Sequence, residues 1–375
     1  YIEKDNEENI LHPAKVQDGQ TFGDIVKAAD EVISIEGYNY DSVSAETITI
    51  GTDTSKNVIT IYYTRRNDLS YTVNYLEQGT NEVLAPAKVV EKQVFEAKVT
   101  EEAIEISGYV KPVVTSQSIT VGVSGNVINF YYTKRNDLTY EVNYYEEATT
   151  NKIAETKVVT GQTYKAVVRE NAIEISGYNK LEPTTQNITI EVTGNEINFY
   201  YRRRNDLTYI VNYLEEGTNK KVVPSKTVNG QTYLTDVTEQ AMPVDGYIAV
   251  EPTSKTITIQ VSGNEFNFYY RKRTDLSYTV NYLEQGSNEV LAPAKVVDNQ
   301  TYEANVTEEA IEISGYDKVE PRRQSIVIDV ENNVINFYYT KRTNLSYIVN
   351  YLEKNTDIVI APAKVVGKQT YKAIA

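Results

Sequence analysis

The sequence predicts a mainly β (α+β) protein built from tandem copies of one small domain. Two observations support this fold class. The tyrosine of the motif VNY recurs every 69 residues, and the second tyrosine of the motif YY recurs at the same interval. The apolar residues are dominated by aromatic and β-branched types, with 32 Tyr against 7 Phe, and such residues favour strands. A 69-residue period is long enough for each copy to have its own core.

The period divides the chain into five near-complete repeats and a partial sixth. The recurring VNY, GY and YY motifs set the register, and repeat 1 is looser because it carries insertions and lacks part of its first strand. The expected boundaries are 1–66, 67–135, 136–204, 205–273 and 274–342 for repeats 1 to 5, and 343–375 for partial repeat 6. Because the pattern is cut at both ends, we expect the chain to be part of a longer protein.

The first two predicted strands of repeat 2 are LSYTVNYLE and VLAPAKVV. Alternation in the first strand places Leu69, Tyr71, Val73 and Tyr75 on one face. The second strand contains Pro86, which has no N–H to donate to a neighbouring strand. We therefore expect the second strand to lie at the edge of a sheet or to carry a bulge.

The middle of the repeat is predicted to contain one short helix, in the segment VTEEAIE. Thr100 is a suitable N-cap, glutamates follow in the first turn, and Gly108 would end the helix. The sequence leaves open an additional short strand after the GY pair. The strand SITVGV, a tight turn at SGN and the strand VINFYY complete the repeat, with Ile128, Phe130 and Tyr132 facing inward.

This order of elements predicts a reduced β-grasp, in which a short helix lies across one face of a mixed sheet. The first and last strands would then be parallel neighbours in the centre, so the chain would enter a repeat at one end and leave at the other. The linker TKRNDL is too short to fold back. We therefore expect β-grasp units arranged end to end as an elongated rod.

The motifs VNYLEEGTNK, GQTY, GY and NFYY together resemble the MucBP (mucin-binding protein) repeat of Gram-positive bacterial cell-surface proteins. The resemblance covers essentially the whole chain. It implies a ubiquitin-like β-grasp fold, adhesion to host mucin or glycans, and extracellular display on a cell-wall-anchored protein whose anchor and signal peptide lie outside this sequence. It transfers no functional residues, because binding in the family is not tied to a fixed set of side chains.

Composition and motifs exclude several classes of function. A formal charge of −15 argues against nucleic acid and anionic membranes as partners. The chain has no cysteine and no apolar run long enough to cross a bilayer, so neither thiolate chemistry nor membrane insertion is expected. We find no nucleophile–base arrangement, phosphate-binding loop or paired metal ligands. We expect a monomer that is not an enzyme and has no cofactor or metal, with His12 as a surface residue in a turn.

The face of the sheet opposite the helix is predicted to present an aromatic ring flanked by amides in each repeat. This combination suits a sugar, because the ring packs against C–H groups and the amides bind hydroxyls. It also occurs as cross-strand pairing that stabilises an exposed sheet without any ligand. The candidate glycan contacts are Asn74, Asn129, Tyr131, Asn143, Asn198, Tyr200, Asn212, Asn267, Tyr269, Asn281, Asn336 and Tyr338.

Basic residues at the joints between repeats form a second candidate site. They are Arg65, Arg66, Lys134, Arg135, Arg203, Arg204, Lys272, Arg273, Lys341 and Arg342. Three interpretations remain open. The cations would bind sialylated or sulfated mucin, or pair with acidic groups such as Glu101 and Glu102 of a neighbouring repeat, or simply keep the strand ends solvated.

A further alternative is an isopeptide bond within each repeat between Lys88, or its equivalents, and a VNY asparagine such as Asn74. The function predicted from the whole sequence is a non-catalytic surface stalk or adhesin segment with weak multivalent binding to mucin-type or other host glycans. The alternative is a pure structural spacer that projects an adhesin or enzyme module located outside this sequence. Binding by the repeats themselves distinguishes the two.

Overall fold

The fold of a repeat consists of a mixed sheet and a separate pair of antiparallel strands. The structure of the chain is a computed structural model that describes residues 1–374. In each of repeats 1 to 5 the mixed sheet has four strands in the order second, first, sixth, fourth. The third and fifth strands form the antiparallel pair.

The six strands have similar bounds in successive repeats. In repeat 1 they are Ile2–Glu3, Asn6–Ile10, Ile25–Lys27, Tyr38–Val43, Thr47–Thr49 and Ile61–Arg65. In repeat 2 they are Leu69–Glu77, Val83–Gln93, Lys98–Glu102, Tyr109–Val110, Ser116–Thr120 and Val127–Lys134. In repeat 3 they are Leu138–Glu146, Lys157–Gln162, Val167–Asn171, Tyr178–Lys180, Thr185–Thr189 and Glu196–Arg203.

The second half of the chain continues the pattern. In repeat 4 the strands are Leu207–Glu215, Lys221–Gln231, Asp236–Gln240, Tyr247–Ala249, Ser254–Thr258 and Glu265–Lys272. In repeat 5 they are Leu276–Glu284, Val290–Gln300, Asn305–Glu309, Tyr316–Lys318, Arg323–Val327 and Val334–Lys341. Partial repeat 6 contributes the hairpin of Leu345–Leu352 and Val359–Gln369.

The chain divides into two compact parts. One comprises Tyr1–Glu174 and Lys180–Tyr201, and the other comprises Ile175–Asn179 and the residues from Arg202 onward. The first part contains the sheets of repeats 1 and 2 and most of repeat 3. The second part contains the sheets of repeats 4 and 5 and the hairpin of partial repeat 6.

The first and sixth strands of each repeat pair in parallel, as the sequence predicts. In repeat 2, Phe130 lies opposite Tyr75 and Tyr132 lies opposite Glu77. The corresponding strands of repeats 3, 4 and 5 pair in the same register. Tandem mixed sheets are therefore confirmed.

The second strand lies at the edge of the mixed sheet, where the prediction from Pro86 places it. It is the outermost strand, so the missing N–H of Pro86 faces no partner strand. Its pairing with the first strand also shifts register between Val73 and Tyr75. The position of Pro86 in an edge strand with irregular pairing therefore agrees with the prediction.

The inward faces of the first and sixth strands form the core of each repeat. In repeat 2, Val73, Ile128, Phe130 and Tyr132 are each at most 1% exposed. Complete burial of one such side chain contributes about 1.5–3 kcal/mol. The alternation that predicts these strands therefore also supplies most of the apolar burial within a repeat.

The predicted short helix is wrong. Lys98–Glu102 is a strand that pairs antiparallel with Ser116–Thr120. The inward position Glu101 of this strand is buried, and so is Ala103, the next inward position just beyond the strand. Two-residue periodicity therefore prevails over the helix-capping signals. Within residues 1–374 the helical elements are two 3₁₀ segments of repeat 1, Ala28–Glu31 and Thr54–Lys56, and the β-grasp assignment is not confirmed.

A buried tyrosine holds the segment that follows the third strand. The hydroxyl of Tyr132 donates to the carbonyl oxygen of Ile104 at 2.9 Å, and the phenol is otherwise enclosed in the core. A buried hydroxyl needs such a partner, and a non-helical segment has free carbonyls to supply it. The YY tyrosines Tyr63, Tyr201, Tyr270 and Tyr339 make the same bond in their repeats.

Candidate binding face and inter-repeat joints

The outward face of each mixed sheet brings together the amides that the sequence predicts. Asn74 and Asn129 lie opposite each other on the parallel strands, and the Asn74 side-chain amide donates to Asn129 Oδ1 at 2.8 Å. This bond orients the pair and leaves the rest of each amide toward solvent. The corresponding pairs are Asn143–Asn198 at 3.1 Å, Asn212–Asn267 at 2.8 Å and Asn281–Asn336 at 2.9 Å.

Tyrosines accompany the amide pairs on this face. Tyr131 is 41% exposed and Tyr200 is 46% exposed, while Tyr269 and Tyr338 are partly buried. The predicted group of a ring beside two amides is therefore assembled in repeats 2 to 5. Its role as a glycan contact stays a prediction.

In repeat 3 the chain's own side chains cover the amide pair. Asn143 is only 2% exposed, and its Oδ1 accepts hydrogen bonds from Lys152 Nζ and Thr156 Oγ1, both at 2.8 Å. Tyr145 stacks on Tyr200 with ring centres 5.9 Å apart. The amides of repeat 3 are thus occupied by internal partners.

Repeat 4 differs by a serine and a cation, and Ser225 Oγ donates to Asn212 Oδ1 at 2.7 Å. Lys255 Nζ donates to the carbonyl oxygen of Asn267 at 2.5 Å and lies 5.8 Å from the ring centre of Tyr269. Glutamines make this bond in the other repeats: Gln117, Gln186 and Gln324 donate to Asn129, Asn198 and Asn336. The positions predicted as equivalent therefore differ in charge and exposure.

The basic residues at the joints are engaged in local ion pairs. Arg135 forms a two-pronged hydrogen bond with Asp137, its Nε and Nη2 each 2.9 Å from a carboxylate oxygen. The same pairing joins Arg66 to Asp68, Arg204 to Asp206 and Arg273 to Asp275. At the last joint position 344 is Asn, and Arg342 instead binds Asp317 at 3.1 Å.

The basic residue that precedes this arginine at each joint has other partners. Lys134 binds Glu77 and Lys341 binds Glu284, each at 3.1 Å and within the same repeat. Across a joint, Arg65 lies 3.4 Å from Glu96, and Lys272 lies 2.8 Å from Glu303. Arg65 also binds Glu3, and Arg203 ends the sixth strand of repeat 3. Ion pairs across joints therefore occur, but their acidic partners are Glu96 and Glu303 and not the predicted Glu101 and Glu102.

The main contact at the joints is an aromatic ring packed on a glycine, which was not predicted from the sequence. The ring of Tyr164 in repeat 3 lies directly against Gly108 of repeat 2, so a β-carbon on Gly108 would overlap it. The same ring meets Tyr109 edge-on, with centres 5.6 Å apart. Gly108 also has a φ of +83°, so it needs glycine for both reasons.

This aromatic–glycine joint recurs wherever two repeats meet within either compact part. Backbone hydrogen bonds reinforce it: Arg135 N–H donates to the Gly108 carbonyl at 2.9 Å, and Tyr164 N–H donates to the Arg135 carbonyl at 2.8 Å. The signal available in the sequence was the fixed spacing of GY and the aromatic of GQTY. The other pairs are Gly37–Phe95, Gly177–Tyr233, Gly246–Tyr302 and Gly315–Tyr371.

A carboxylate on the inward side of each of repeats 2 to 5 binds a lysine and a tyrosine. It is buried in repeat 2 and partly buried in repeats 3 to 5. Glu101 accepts from Tyr71 Oη at 2.6 Å and from Lys88 Nζ at 2.7 Å. Burial alone would raise the pKa of Glu101, but these hydrogen bonds outweigh it and hold the pKa below its usual value. The hydrogen bond to Glu101, together with burial, raises the pKa of Tyr71 to about 12.

This Lys–Glu–Tyr cluster contradicts the isopeptide alternative. Lys88 is paired with Glu101, whereas Asn74 lies on the outward face and bonds to Asn129. The two ends of the proposed bond are therefore on different faces of the sheet. Matching clusters are Lys157–Glu170–Tyr140, Lys226–Glu239–Tyr209 and Lys295–Glu308–Tyr278.

His12 is exposed at a bend, as predicted, with Nδ1 2.9 Å from the carbonyl oxygen of Pro13. Within residues 1–374, no group of three or more histidine, aspartate or glutamate side chains is arranged to hold a metal ion. In the same part of the chain, no helix has the length and apolar character needed to span a membrane.

No family model matches the chain. In sequence the chain is similar to Internalin J of Listeria monocytogenes, with 26% identity over 352 residues. The match covers 85% of this chain and 37% of the relative. The chain therefore spans little more than a third of the length of the curated relative that it matches.

The solved structures similar to this chain include the Bacillus anthracis TIE protein, at 9% identity and a TM-score of 0.29, covering 84% of this chain and 76% of that one. They also include the type 2 repeat of the mucus binding protein MUB from Lactobacillus reuteri, at 14% identity and a TM-score of 0.14, covering 36% of this chain and 99% of that one. TM-scores this low carry no argument about function or about the arrangement of the repeats. The similar structures thus include mucus-binding repeats, the kind of repeat that the sequence motifs resemble.

Proposed function

We propose that this chain is a non-catalytic segment of a bacterial surface protein, in which repeats joined end to end form a stalk with an adhesive outer surface. The observation that carries the stalk role is the recurring aromatic–glycine joint. Gly108 and Tyr164 leave no space between the two repeats for a side chain, and backbone hydrogen bonds tie the linker to both sides. A flexible tether would need none of these contacts.

Chain direction supports the same role. The first and sixth strands of a repeat are parallel, so the linker leaves a repeat at the end opposite to the one at which its first strand begins. Arg135 and Asp137 also pair within the linker. Successive repeats arranged in this way would extend in one direction. We therefore propose an elongated rod displayed outside the cell and anchored to the cell wall by a segment beyond this sequence.

The adhesive role rests on the outward face. A partly exposed ring beside an oriented amide pair offers the apolar surface and the hydrogen-bonding groups that sugars require. One such site would bind weakly, but several sites on one rod that faces a polymeric glycan would gain avidity from their effective concentration. Host mucin or other host glycans are therefore the proposed partners.

The second candidate function is a pure spacer, and repeat 3 favours it. There Lys152 and Thr156 occupy the amide oxygen of Asn143, so this oxygen is bound by the chain's own side chains. If all amide pairs serve only to stabilise the sheet, the chain would project some other module without binding anything.

Adhesion to immobilised mucin distinguishes these functions. We expect the full chain to bind, and a chain in which Tyr131, Tyr269 and Tyr338 are all replaced by alanine to lose at least tenfold in affinity. The control is Tyr347→Ala in partial repeat 6, outside the proposed face of repeats 2 to 5. No binding by the unmodified chain to mucin or to a glycan array would leave the spacer as the remaining function.

A further inference from the structure

Repeat 2 has a surface groove beside its short fourth strand. The groove has a volume of about 620 Å³, and Tyr131 lies in its lining between the turn at Gln78–Asn81 and the segment Val110–Val114. This volume lies within the range of about 300–1,000 Å³ that is usual for small-molecule sites. The groove adjoins the outward face on which the glycan contacts were predicted.

Pro112 explains why the groove opens in this repeat. In repeat 3 the residue at this position, Leu181, donates its backbone N–H to the carbonyl oxygen of Tyr200 at 3.0 Å. Val250 and Val319 make the same bond to Tyr269 and Tyr338, at 2.8 and 2.9 Å. Pro112 has no N–H, so the Tyr131 carbonyl does not receive this bond.

The strand pairing responds to this difference. In repeat 4 the fourth strand pairs with the sixth through three residues, ending at Ala249 opposite Tyr270. In repeat 2 the pairing ends after two residues, at Val110 opposite Thr133. The chain beyond Val110 is therefore released from the edge of the sheet, which exposes the backbone acceptor and the flank of Tyr131.

The lining of the groove defines the kind of ligand it suits. Val113 is fully exposed and Val114 is 60% exposed, so apolar surface is left without any internal partner. Amide groups of Gln78, Asn81 and Gln117 lie in the same lining. Among the described residues that line the groove, the one charged side chain is Lys111, which is paired with Glu105 at 2.9 Å.

We propose that this groove of repeat 2 is the chain's principal saccharide site and that it takes an uncharged sugar. Valines and the Tyr131 ring would pack against C–H faces, while the Tyr131 carbonyl and the amides would bind hydroxyl groups. Because Lys111 is already neutralised by Glu105, the groove offers no free charge for a sialic acid or a sulfate. This inference rests on the proposed adhesive function and assigns it to one repeat.

The test uses the full chain with two defined probes, N-acetyllactosamine as the uncharged sugar and 3′-sialyllactose as its charged counterpart. Dissociation constants are measured by ligand-observed NMR. The informative variants are Tyr131→Ala, which removes the ring, and Pro112→Val, which introduces the N–H found in repeats 4 and 5. Tyr338→Ala is the comparison variant, because Tyr338 occupies the same position on the proposed face of repeat 5, where no such groove is described.

We expect Tyr131→Ala and Pro112→Val each to weaken binding of N-acetyllactosamine at least tenfold, and Tyr338→Ala to weaken it by a clearly smaller factor. Unchanged thermal melting of Pro112→Val shows that it is folded. Equal loss from Tyr131→Ala and Tyr338→Ala, or tighter binding of 3′-sialyllactose, would overturn this assignment while leaving adhesion intact. Failure of the unmodified chain to bind either sugar, although it binds mucin, would also overturn it. Failure to bind mucin as well would remove the adhesive function itself.

Discussion

The joints between repeats and the outward faces of the repeats differ in how closely they are copied along the chain. Each joint packs an aromatic ring, Phe95 or a tyrosine, on the glycine of a GY pair, and each of repeats 2 to 5 has the same Lys–Glu–Tyr cluster. The outward faces differ: repeat 2 has a groove at Pro112, repeat 3 covers Asn143, and repeat 4 has Lys255. The contacts that join and stabilise the repeats are therefore nearly the same throughout, whereas the exposed face differs from one repeat to the next.

The largest effect is expected from a β-carbon at a joint. Gly108→Ala places a methyl group into the ring of Tyr164 and also strains a backbone with φ of +83°. We expect the joined repeats to lose about 1–3 kcal/mol of stability. Thermal unfolding and protease cleavage within the adjacent linker measure this loss.

Gly125→Ala is the matched control for this substitution. Gly125 also has a positive φ, +73°, but a β-carbon there meets nothing within 4 Å. It therefore carries the backbone strain without the clash. If both variants were destabilised equally, and neither linker became sensitive to protease, the aromatic–glycine contact would have no role in joining the repeats.

A smaller loss is expected within a repeat from Glu101→Gln. The substitution removes the charge that Lys88 and Tyr71 bind and leaves buried polar groups imperfectly paired. We expect a loss of about 1–3 kcal/mol in the unfolding free energy of repeat 2. Glu102→Gln, on the exposed side of the same strand, is the control and should cost much less. Equal effects would show that the cluster does not stabilise the repeat.

Alkaline pH tests all the clusters together. The pKa of Tyr71, Tyr140, Tyr209 and Tyr278 is raised to about 12. Because tyrosine in the unfolded chain ionises near pH 10, the unfolded state loses its protons first, and stability falls between about pH 10 and 12. Urea unfolding across this window should show the decline, and Tyr71→Phe should reduce it. Stability that stays constant up to about pH 12 would contradict the assignment.

The smallest effect is expected from the basic residues of the linker. Arg135 and Asp137 are both solvent-exposed, so their mutual attraction is screened by water and salt. Arg135→Gln should leave the melting temperature unchanged within error and should not expose the linker to protease. A loss of stability as large as that caused by Gly108→Ala would show that the ion pair, and not the aromatic contact, joins the repeats.

The strands were largely predictable because alternation is a local signal. Tyr71 and Val73 point inward as their spacing requires, and Pro86 marks the edge. The helix was predicted wrongly because Thr100 and the following glutamates carry helix-capping signals. The hydrogen bonds from Lys88 and Tyr71 that make Glu101 suitable for an inward strand position come from distant parts of the sequence.

The site was predictable only in part. The amide pair Asn74–Asn129 follows from the parallel register of two predicted strands. The joint was missed because Gly108 and Tyr164 belong to different repeats and neither is unusual within its own repeat. The groove was missed because the effect of Pro112 appears only when its missing N–H is compared with the bonds made by the other repeats.

The central claim, that the aromatic–glycine joint holds neighbouring repeats in one fixed arrangement, is tested most directly by a distance measurement across one joint. The chain has no cysteine, so the exposed pair Thr120→Cys and Thr189→Cys accepts two spin labels selectively, one in repeat 2 and one in repeat 3. We predict a single narrow distance distribution by pulsed electron paramagnetic resonance, which broadens when Gly108→Ala is added. A broad distribution in the unsubstituted joint, or a narrow one that Gly108→Ala leaves unchanged, would contradict the claim.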